Sequence, residues 1–296
     1  MLIDRLSIIG VGLIGGSLAR ALRKQNACGH ITGYGRSSEH LQEAVDLGVI
    51  DDFSLSMDSA VKAADMIVLA TPLKTTEPLL KAMRPYLAED AVITDVGSAK
   101  GSVVEAAHAT LDDFLPRFVP GHPIAGREKS GVSASTADLF QSHRVILTPL
   151  PETSVSAIDK VRQMWELCGA EVVQLGVKQH DEILAATSHL PHMLAYALVD
   201  CLAGMRERDE IFRFAAGGFA DFTRIASSDP QMWHDICIAN RAELLRSVEA
   251  FGKFLENIRS AIEKDDSETL LDIFSRAKET RDRFTRLRDH RNDSTE

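Results

Sequence analysis

The sequence is short of several features that mark other protein classes. Cysteine occurs four times in 296 residues, at widely spaced positions and without a Cys-x-x-Cys pair. This pattern excludes a disulfide framework and favours free thiols in a reducing compartment. There is no signal peptide before the first strand-like run, no apolar stretch of membrane-spanning length and no low-complexity tract. These absences predict a soluble, cytoplasmic protein.

Negative charge outweighs positive charge, with 43 Asp and Glu residues against 33 Lys and Arg residues. The formal net charge is -10 at pH 7, which argues against nucleic acid or an anionic membrane surface as a partner. What is present is ordinary for a globular protein, with 45% hydrophobic and 26% charged residues. A chain of 296 residues is long enough for two domains with a sizeable core.

The first motif lies near the N-terminus, between an apolar strand-like run at 6–9 and a helical pattern. It reads Gly10-Val11-Gly12-Leu13-Ile14-Gly15. A strand, a glycine turn and a helix form the context that the dinucleotide-binding fingerprint requires. Gly10 permits a tight turn, Gly12 lets the backbone approach a pyrophosphate, and Gly15 lets the helix pack close to the strand. The alternative is a glycine-rich turn in another α/β fold.

The end of the second strand bears on which dinucleotide binds. NAD-binding domains usually place Asp or Glu there, to bond the ribose 2′-hydroxyl. Here the position holds Gly35, followed by Arg36 and Ser37. Without the carboxylate a 2′-phosphate meets no repulsion, Arg36 can pair with it and Ser37 can add a hydroxyl. We therefore favour NADP, with NAD as the alternative if Arg36 stacks on adenine or points to solvent.

Apolar strands alternate with helices through the first half. After the strand at 6–9, strand patterns recur at 31–34, 66–70, 91–94, 117–120 and 145–147, with a further one at 171–175. Continuous apolar strands predict a Rossmann-type, doubly wound parallel sheet covered on both faces, in a dinucleotide-binding domain of residues 1–176. Ligands bind outside the carboxyl ends of such strands. Thr71, Pro72, Ser98 and His122 lie at these ends.

One stretch at this edge, 121–131, reads Gly-His-Pro-Ile-Ala-Gly-Arg-Glu-Lys-Ser-Gly. Glycine and proline at this density predict a rigid loop rather than a helix or a core strand. Because the loop follows the fifth strand and faces the glycine turn, we interpret His122 as a general base rather than an incidental surface histidine. Ser98 opens a helix, and its hydroxyl either faces the site or serves as a plain N-cap.

The second half, 177–296, carries helical patterns and is predicted to be an all-α dimerisation domain. It contains His180-Asp181 and then Ser188-His189-Leu190-Pro191-His192. The proline predicts a kink, which favours His192 as a site residue over a satisfied core histidine. A metal site is not expected, because the spacing lacks the i, i+4 histidine pair of helical zinc sites and no cysteine joins them.

Further along, Arg224 lies in an apolar pattern after a Gly217-Gly218 break. A cation there needs an anion, either the nearby Asp221 or a substrate carboxylate, and both remain open. Asp229 and Pro230 read as the cap and first position of a long helix that reaches about Glu263. A helix of this length in a small domain is typical of packing against a second subunit.

With these motifs assembled, the chain resembles the prephenate/arogenate dehydrogenases of tyrosine biosynthesis over roughly 6–284. The resemblance implies that His122 accepts the proton of the substrate's ring hydroxyl and that Ser98 orients it and touches the nicotinamide. It implies a homodimer formed through the helical domain and a small-molecule substrate that is oxidised and loses carbon dioxide. The implied substrate contacts are Arg224 for the ring carboxylate, His192, Glu128 and Gly217 nearby, and Trp233 supplied across the dimer.

Two positions depart from the commonest family pattern. Arg127 stands where a small polar residue is expected, so it could contact the substrate side chain and bear on the choice between prephenate and arogenate. Gly35 and Arg36 replace the acidic strand end, which bears on the cofactor. Two other functions stay open: a β-hydroxyacid dehydrogenase, for which Lys178 is the only candidate lysine near the domain junction, and an inactive NADP-binding sensor.

Overall fold

The computed structural model describes residues 1–127, 129–206 and 208–293. Within them, a six-stranded parallel sheet has the order β3-β2-β1-β4-β5-β6, and a three-stranded sheet has the order β7-β8-β9. The strands are β1 (Ile3–Ile9), β2 (Cys28–Tyr34), β3 (Asp52–Ser54), β4 (Met66–Leu69), β5 (Val92–Asp95), β6 (Phe118–Val119), β7 (Gly121–Pro123), β8 (Arg144–Leu147) and β9 (Glu171–Gln174).

Both faces of the large sheet are buried, as a doubly wound fold requires. Neighbouring strand residues point to opposite sides, so Ile8 joins one apolar cluster and Ile9 joins the other. On β4 the same alternation sends Val68 to the first cluster and Ile67 to the second. Each such fully buried side chain contributes about 1.5–3 kcal/mol. The predicted Rossmann-type sheet followed by a helical part is confirmed.

The small sheet corrects two predictions. The run at 145–147 is not a sixth strand of the parallel sheet: it lies in β8, which pairs antiparallel with β7 and parallel with β9. The first three residues of the predicted loop at 121–131 form β7 and are buried. Glycine and proline gave no strand signal, and the strand forms because β8 and the end of β5 hold its backbone. The sixth parallel strand is β3, a short, polar edge strand.

Helices cover the sheet and make up most of the second half. They are α1 (Leu13–Lys24), α2 (Ser38–Asp46), α3 (Met57–Val61), α4 (Thr76–Met83), α5 (Gly101–Thr110), α6 (Val155–Leu167), α7 (Val177–Leu184), α8 (Leu190–Ala203), α9 (Arg208–Arg213), α10 (Gly217–Thr223), α11 (Pro230–Ala239), α12 (Arg241–Glu263) and α13 (Ser267–Asp293). No described helix is long and apolar enough to cross a membrane.

Three helix boundaries differ from expectation. The predicted helix from Pro230 to about Glu263 breaks at Asn240, although Asp229 caps its start as predicted. The kink expected at Pro191 takes the form of a π-helical segment, Ala185–His189, between α7 and α8, where proline supplies no N–H to the preceding turn. Ser98 does not open a helix, because α5 begins at Gly101.

By compactness the chain divides into units Met1–Leu244 and Leu245–Glu296. The first holds both sheets and the helices up to α11. The second holds most of α12 and all of α13, with apolar side chains of both helices exposed. The boundary predicted between 176 and 177 stays a prediction.

Candidate active site

The carboxyl edge of the large sheet opens into a cleft of about 800 Å³, here called the cofactor cleft. Seven of the predicted cofactor residues line it: Gly10, Gly12, Gly35, Arg36, Ser37, Thr71 and Pro72. Gly131, Val132 and Ser133 also line the cleft, and no sequence motif predicted them as cofactor residues. Of the other four predicted cofactor residues, Leu13, Ile14 and Gly15 form the first turn of α1 behind the glycine turn. The fourth, Ser98, lies in the bend after β5 and is not among the residues that line the cofactor cleft, so its contact with the nicotinamide stays a prediction.

The glycines of the turn are required by geometry. Gly10 has φ +99°, and a Cβ there would meet the Ala70 carbonyl oxygen at 2.5 Å. A Cβ on Gly15 would lie 2.4 Å from the Gly10 carbonyl oxygen, so only glycine lets α1 approach β1 this closely. By contrast, the space over Gly12 is empty to 4 Å. The turn therefore presents an open backbone surface at a helix N-terminus, which suits a pyrophosphate.

The end of β2 shapes the far side of the cofactor cleft. Gly35 and Arg36 line it, and the Arg36 side chain is exposed. The Ser37 hydroxyl accepts the His40 backbone N–H and donates to the Glu39 carboxylate at 2.7 Å. That hydroxyl is thus engaged in capping α2, and Arg36 is the main group left to recognise a phosphate.

His122 lies in β7 with only 8% of its surface exposed. Its Nδ1 is 2.9 Å from Nε2 of His180, and Nδ1 of His180 is 2.7 Å from the Asp181 carboxylate. Asp181 also accepts the backbone N–H groups of Lys100 and Gly101, both at 2.8 Å. A single carboxylate from α7 therefore caps α5 and anchors a chain of two histidines.

A second buried group holds the residue before His122. The Lys100 ammonium is fully buried, pairs with Asp95 and donates to the Gly121 carbonyl oxygen at 2.7 Å. Asp95 accepts the Gly121 N–H at 3.1 Å and the Gly97 N–H at 2.7 Å. The Asp95–Lys100 pair thus forms hydrogen bonds with both the N–H and the carbonyl group of Gly121 and fixes the start of β7.

The buried histidines are neutral near pH 7. Burial lowers the pKa of His122 well below 6.5, and the neighbouring His180, Lys100 and His189 lower it further. Burial also lowers the pKa of His180, an effect that the hydrogen bond to Asp181 opposes. The pKa of Asp181 is below its ordinary value, because hydrogen bonds from His180 and from two backbone N–H groups outweigh the effect of burial.

Ser98 lies in the bend after β5, where its backbone faces His189. His189 of the π segment is buried, and burial lowers its pKa to about 4, which the Ser98 backbone opposes. Asn240 lies 3.1 Å from His189 Nδ1 and donates to the Asp181 carbonyl at 2.8 Å. The side-chain amide of Asn240 therefore joins His189 of the π segment to the backbone of α7 at Asp181. The predicted part of Ser98 in orienting His122 stays a prediction.

Trp233 and His192 lie next to His189. The ring of His192 stacks on Trp233 of the same chain, with centroids 3.6 Å apart, and the edge of His189 faces that indole at 6.2 Å. Arg224, at the end of α10, is near enough to lower the pKa of His192, which burial lowers most. The rings of His189 and His192 thus both contact the Trp233 indole, and Arg224 lies within electrostatic range of His192. The supply of Trp233 across a dimer stays a prediction.

The other predicted substrate residues lie elsewhere or cannot be placed. Gly217 begins α10 with open space around its Cα, and Arg127 is exposed in the irregular segment after β7. Glu128 lies outside the described residues. Among the described residues, no cluster of three or more His, Cys, Asp or Glu side chains could hold a metal ion.

Comparison with known proteins gives a consistent result. Residues 18–174 match the nucleotide-binding domain of prephenate dehydrogenase, and residues 177–276 match its dimerization domain. The cyclohexadienyl dehydrogenase of Zymomonas mobilis is 38% identical over 280 residues, which cover 93% of this chain and 94% of that protein. The prephenate dehydrogenase of Bacillus subtilis is 38% identical over 284 residues, covering 94% and 76% of the two chains.

A solved structure agrees along the whole fold. Prephenate dehydrogenase from A. aeolicus, in complex with hydroxyphenyl propionate and NAD+, superimposes with a TM-score of 0.88 at 38% sequence identity. The match covers 94% of this chain and 97% of that chain.

Proposed function

The chain belongs to the prephenate dehydrogenase family, and on that premise we propose that it oxidatively decarboxylates prephenate, arogenate or both in tyrosine biosynthesis. The products are 4-hydroxyphenylpyruvate from prephenate and tyrosine from arogenate. The observation that carries the proposal is a buried, neutral His122 in β7, a strand whose first residue is hydrogen-bonded to Asp95 at the carboxyl end of β5, the sheet edge at which the cofactor cleft opens. The family resemblance read from the sequence motifs is confirmed, and the chain is a dehydrogenase.

The cofactor cleft fits a nicotinamide dinucleotide. Its glycine turn leaves open backbone over Gly12 at the start of α1, where a pyrophosphate can bind. Gly35 and Arg36 line the end at which the adenosine ribose is expected. When bound, the oxidised nicotinamide supplies the hydride acceptor.

His122 then acts as the general base. A neutral imidazole can accept the proton of the substrate's ring hydroxyl while the carbon that bears it is oxidised. Burial keeps the ring neutral, and the hydrogen bond to His180 fixes its plane. Because β7 is held by both the Asp95–Lys100 pair and β8, the base stands in a fixed position, which is the main requirement for efficient proton transfer.

Arg224, His192 and Trp233 form the proposed site for the substrate carboxylates. A guanidinium pairs with a carboxylate as a planar fork. The buried indole N–H of Trp233 has no hydrogen-bond partner among the residues that the structure describes, so it can donate to the same anion. Release of the ring carboxylate as carbon dioxide leaves an aromatic ring, whose formation drives the reaction forward.

NADP is the favoured cofactor, with NAD as a second one. The absence of a carboxylate at Gly35 and the position of Arg36 on the cofactor cleft support this choice. A 2′-phosphate would meet the Arg36 cation without repulsion from an acidic strand end. Ser37 contributes less than its position suggests, since its hydroxyl caps α2.

A homodimer is the proposed assembly. Within the unit of α12 and α13, large apolar side chains are exposed, among them Phe254 (65%), Leu271 (66%) and Phe274 (57%). Exposed apolar surface of this kind marks an interface in a soluble protein, and residues 177–276 match a dimerization domain.

The two alternative functions are weaker. Lys178, the candidate lysine of a β-hydroxyacid dehydrogenase, has 77% of its side chain exposed and pairs with Glu182 on its own helix. An inactive sensor gives no reason to keep His122 buried, neutral and held on both sides. Neither alternative accounts for the match to both domains of a dehydrogenase family.

The test is an assay of the purified protein with prephenate and arogenate, each with NAD and NADP, following the absorbance of the reduced nicotinamide. Turnover with at least one pair is expected. The His122→Asn variant should bind cofactor normally but turn over at least about 100-fold more slowly. Absence of turnover with all four pairs would refute the proposed function.

A further inference from the structure

The hydrogen-bond chain behind His122 has a direction. Ionised Asp181 can only accept hydrogen bonds, and its two oxygens already take two backbone N–H groups. Nδ1 of His180, 2.7 Å from this carboxylate, must therefore carry a hydrogen. In a neutral imidazole the other nitrogen is then an acceptor, so Nε2 of His180 can only accept from Nδ1 of His122.

We propose that Asp181 and His180 are positioning residues that fix His122 as its Nδ1–H tautomer and leave its Nε2 free as the base. The proposal rests on the proposed function for its catalytic meaning. Its structural content, which nitrogen of His122 bears the hydrogen, is independent of turnover. The opposite tautomer has a hydrogen on Nε2 and cannot accept a proton there.

Neighbouring charged and polar groups affect the protonation of His122 and His180. Lys100 and His189 both disfavour protonation of His122 and Lys100 does the same for His180. Asp95 and Asp181 act in the opposite sense on His180. When Nε2 of His122 gains the substrate's proton, the Nδ1–H bond to His180 is retained, so the new imidazolium forms next to an acceptor that is already aligned.

Nitrogen NMR tests the tautomer directly. With ¹⁵N-labelled histidine in the full-length protein, the ring nitrogens of His122 are assigned by their loss in the His122→Asn variant. The expected spectrum near pH 7 shows Nδ1 protonated and Nε2 unprotonated. A protonated Nε2 beside an unprotonated Nδ1 would overturn the proposal, whether or not the enzyme turns over its proposed substrates.

Kinetics test the consequence. His180→Leu removes the acceptor and should lower kcat roughly 10- to 100-fold, with KM nearly unchanged because His180 is not placed at the substrate. His180→Gln retains an acceptor oxygen and should recover several-fold of that loss. Equal losses in the two variants, or full activity of His180→Leu, would contradict the proposal. His143→Leu, at an exposed histidine outside the site, is the matched control, and circular dichroism verifies folding of each variant.

Discussion

The fully buried ammonium of Lys100 donates to the carbonyl oxygen of Gly121 at 2.7 Å, and so holds the residue immediately before the proposed base. The same ammonium pairs with Asp95, which takes the Gly121 N–H. Replacing a member of this pair should therefore affect both stability and catalysis, in ways that can be separated.

Lys100→Met is expected to cost about 3–5 kcal/mol in the free energy of unfolding, because it leaves the buried Asp95 carboxylate without a countercharge. Adding Asp95→Asn should restore most of that stability, since no uncompensated charge remains. The double variant should still show kcat lowered at least about 10-fold, because the Lys100 ammonium no longer holds the Gly121 carbonyl at the start of β7. Urea unfolding and steady-state kinetics measure the two effects.

Lys160→Met provides the matched control. Lys160 pairs with a partly buried Asp65 away from the site, so its loss should lower stability while leaving kcat unchanged. Full activity of the Asp95→Asn/Lys100→Met protein would show that the buried pair supports the fold alone.

The cofactor preference can be reversed at Gly35. The three atoms nearest to a Cβ there belong to the Leu41 side chain, at 3.5 Å or more, so Gly35→Asp should fold. The new carboxylate repels a 2′-phosphate and can bond a 2′-hydroxyl. We expect kcat/KM with NADP to fall at least about 10-fold relative to that with NAD, and Arg36→Ala to act in the same direction. Arg144→Ala, which breaks an exposed pair with Glu171, should change neither, and an unchanged ratio in Gly35→Asp would refute the 2′-phosphate site.

The protein should become less stable as the pH decreases through the range in which histidine ordinarily titrates. Burial lowers the pKa of His189 from 6.5 to about 4. The unfolded chain therefore takes up a proton in this window that the folded chain does not, so the contribution of His189 is complete above about pH 6.5 and is lost progressively toward pH 4. At about pH 5 the loss is on the order of 2 kcal/mol.

The free energy of unfolding, measured at about pH 7.5 and pH 5, checks this expectation. Replacing His189 with Gln should shrink the difference between the two values, whereas His143→Gln, at an exposed position, should leave it unchanged. An identical pH dependence in His189→Gln and the unmodified chain would contradict the assignment.

The exposed apolar side chains of α12 and α13 should govern association. Phe254→Glu and Leu271→Glu place charges at positions that are about two-thirds exposed in one chain, so each should leave the chain folded but weaken a dimer. Sedimentation velocity is expected to show a dimer for the unmodified protein and a shift to monomer for the variants. Lys253→Glu, at an exposed polar position beside Phe254, should not shift it. A monomeric unmodified protein at micromolar concentration would exclude this interface.

The sequence could predict the parts of the fold and site that local pattern determines. The apolar strands, the glycine turn and the Asp229 cap depend on neighbours in the chain, and all are present. The β7 strand could not be foreseen, because Gly-His-Pro has no strand propensity and its conformation comes from Asp95, Lys100 and β8. Likewise, Asn240 is neither glycine nor proline, and its role in ending a helix depends on contacts with residues more than 50 positions away.

The site divides in the same way. Arg36 and the glycines are recognisable because the type of residue suits its place at the carboxyl edge of the large sheet, and His122 is recognisable as a lone histidine in a stretch rich in glycine and charge after a strand. The contact of His122 with His180 joins residues 58 positions apart, and the adjacent Asp181 gives no local sign that it caps a helix of the other half. Buried Lys100 is equally hidden, since a lysine in a sequence is normally read as a surface residue.

The π-helical segment Ala185–His189 sets the rotational phase between two groups of functional side chains. It separates His180 and Asp181 on α7 from His192 on α8. A π turn accommodates one residue more than an α turn, so regular α winding of the same residues would turn one group about 100° relative to the other. The relative orientation of the two groups therefore depends on the π turn itself as well as on the number of residues between them.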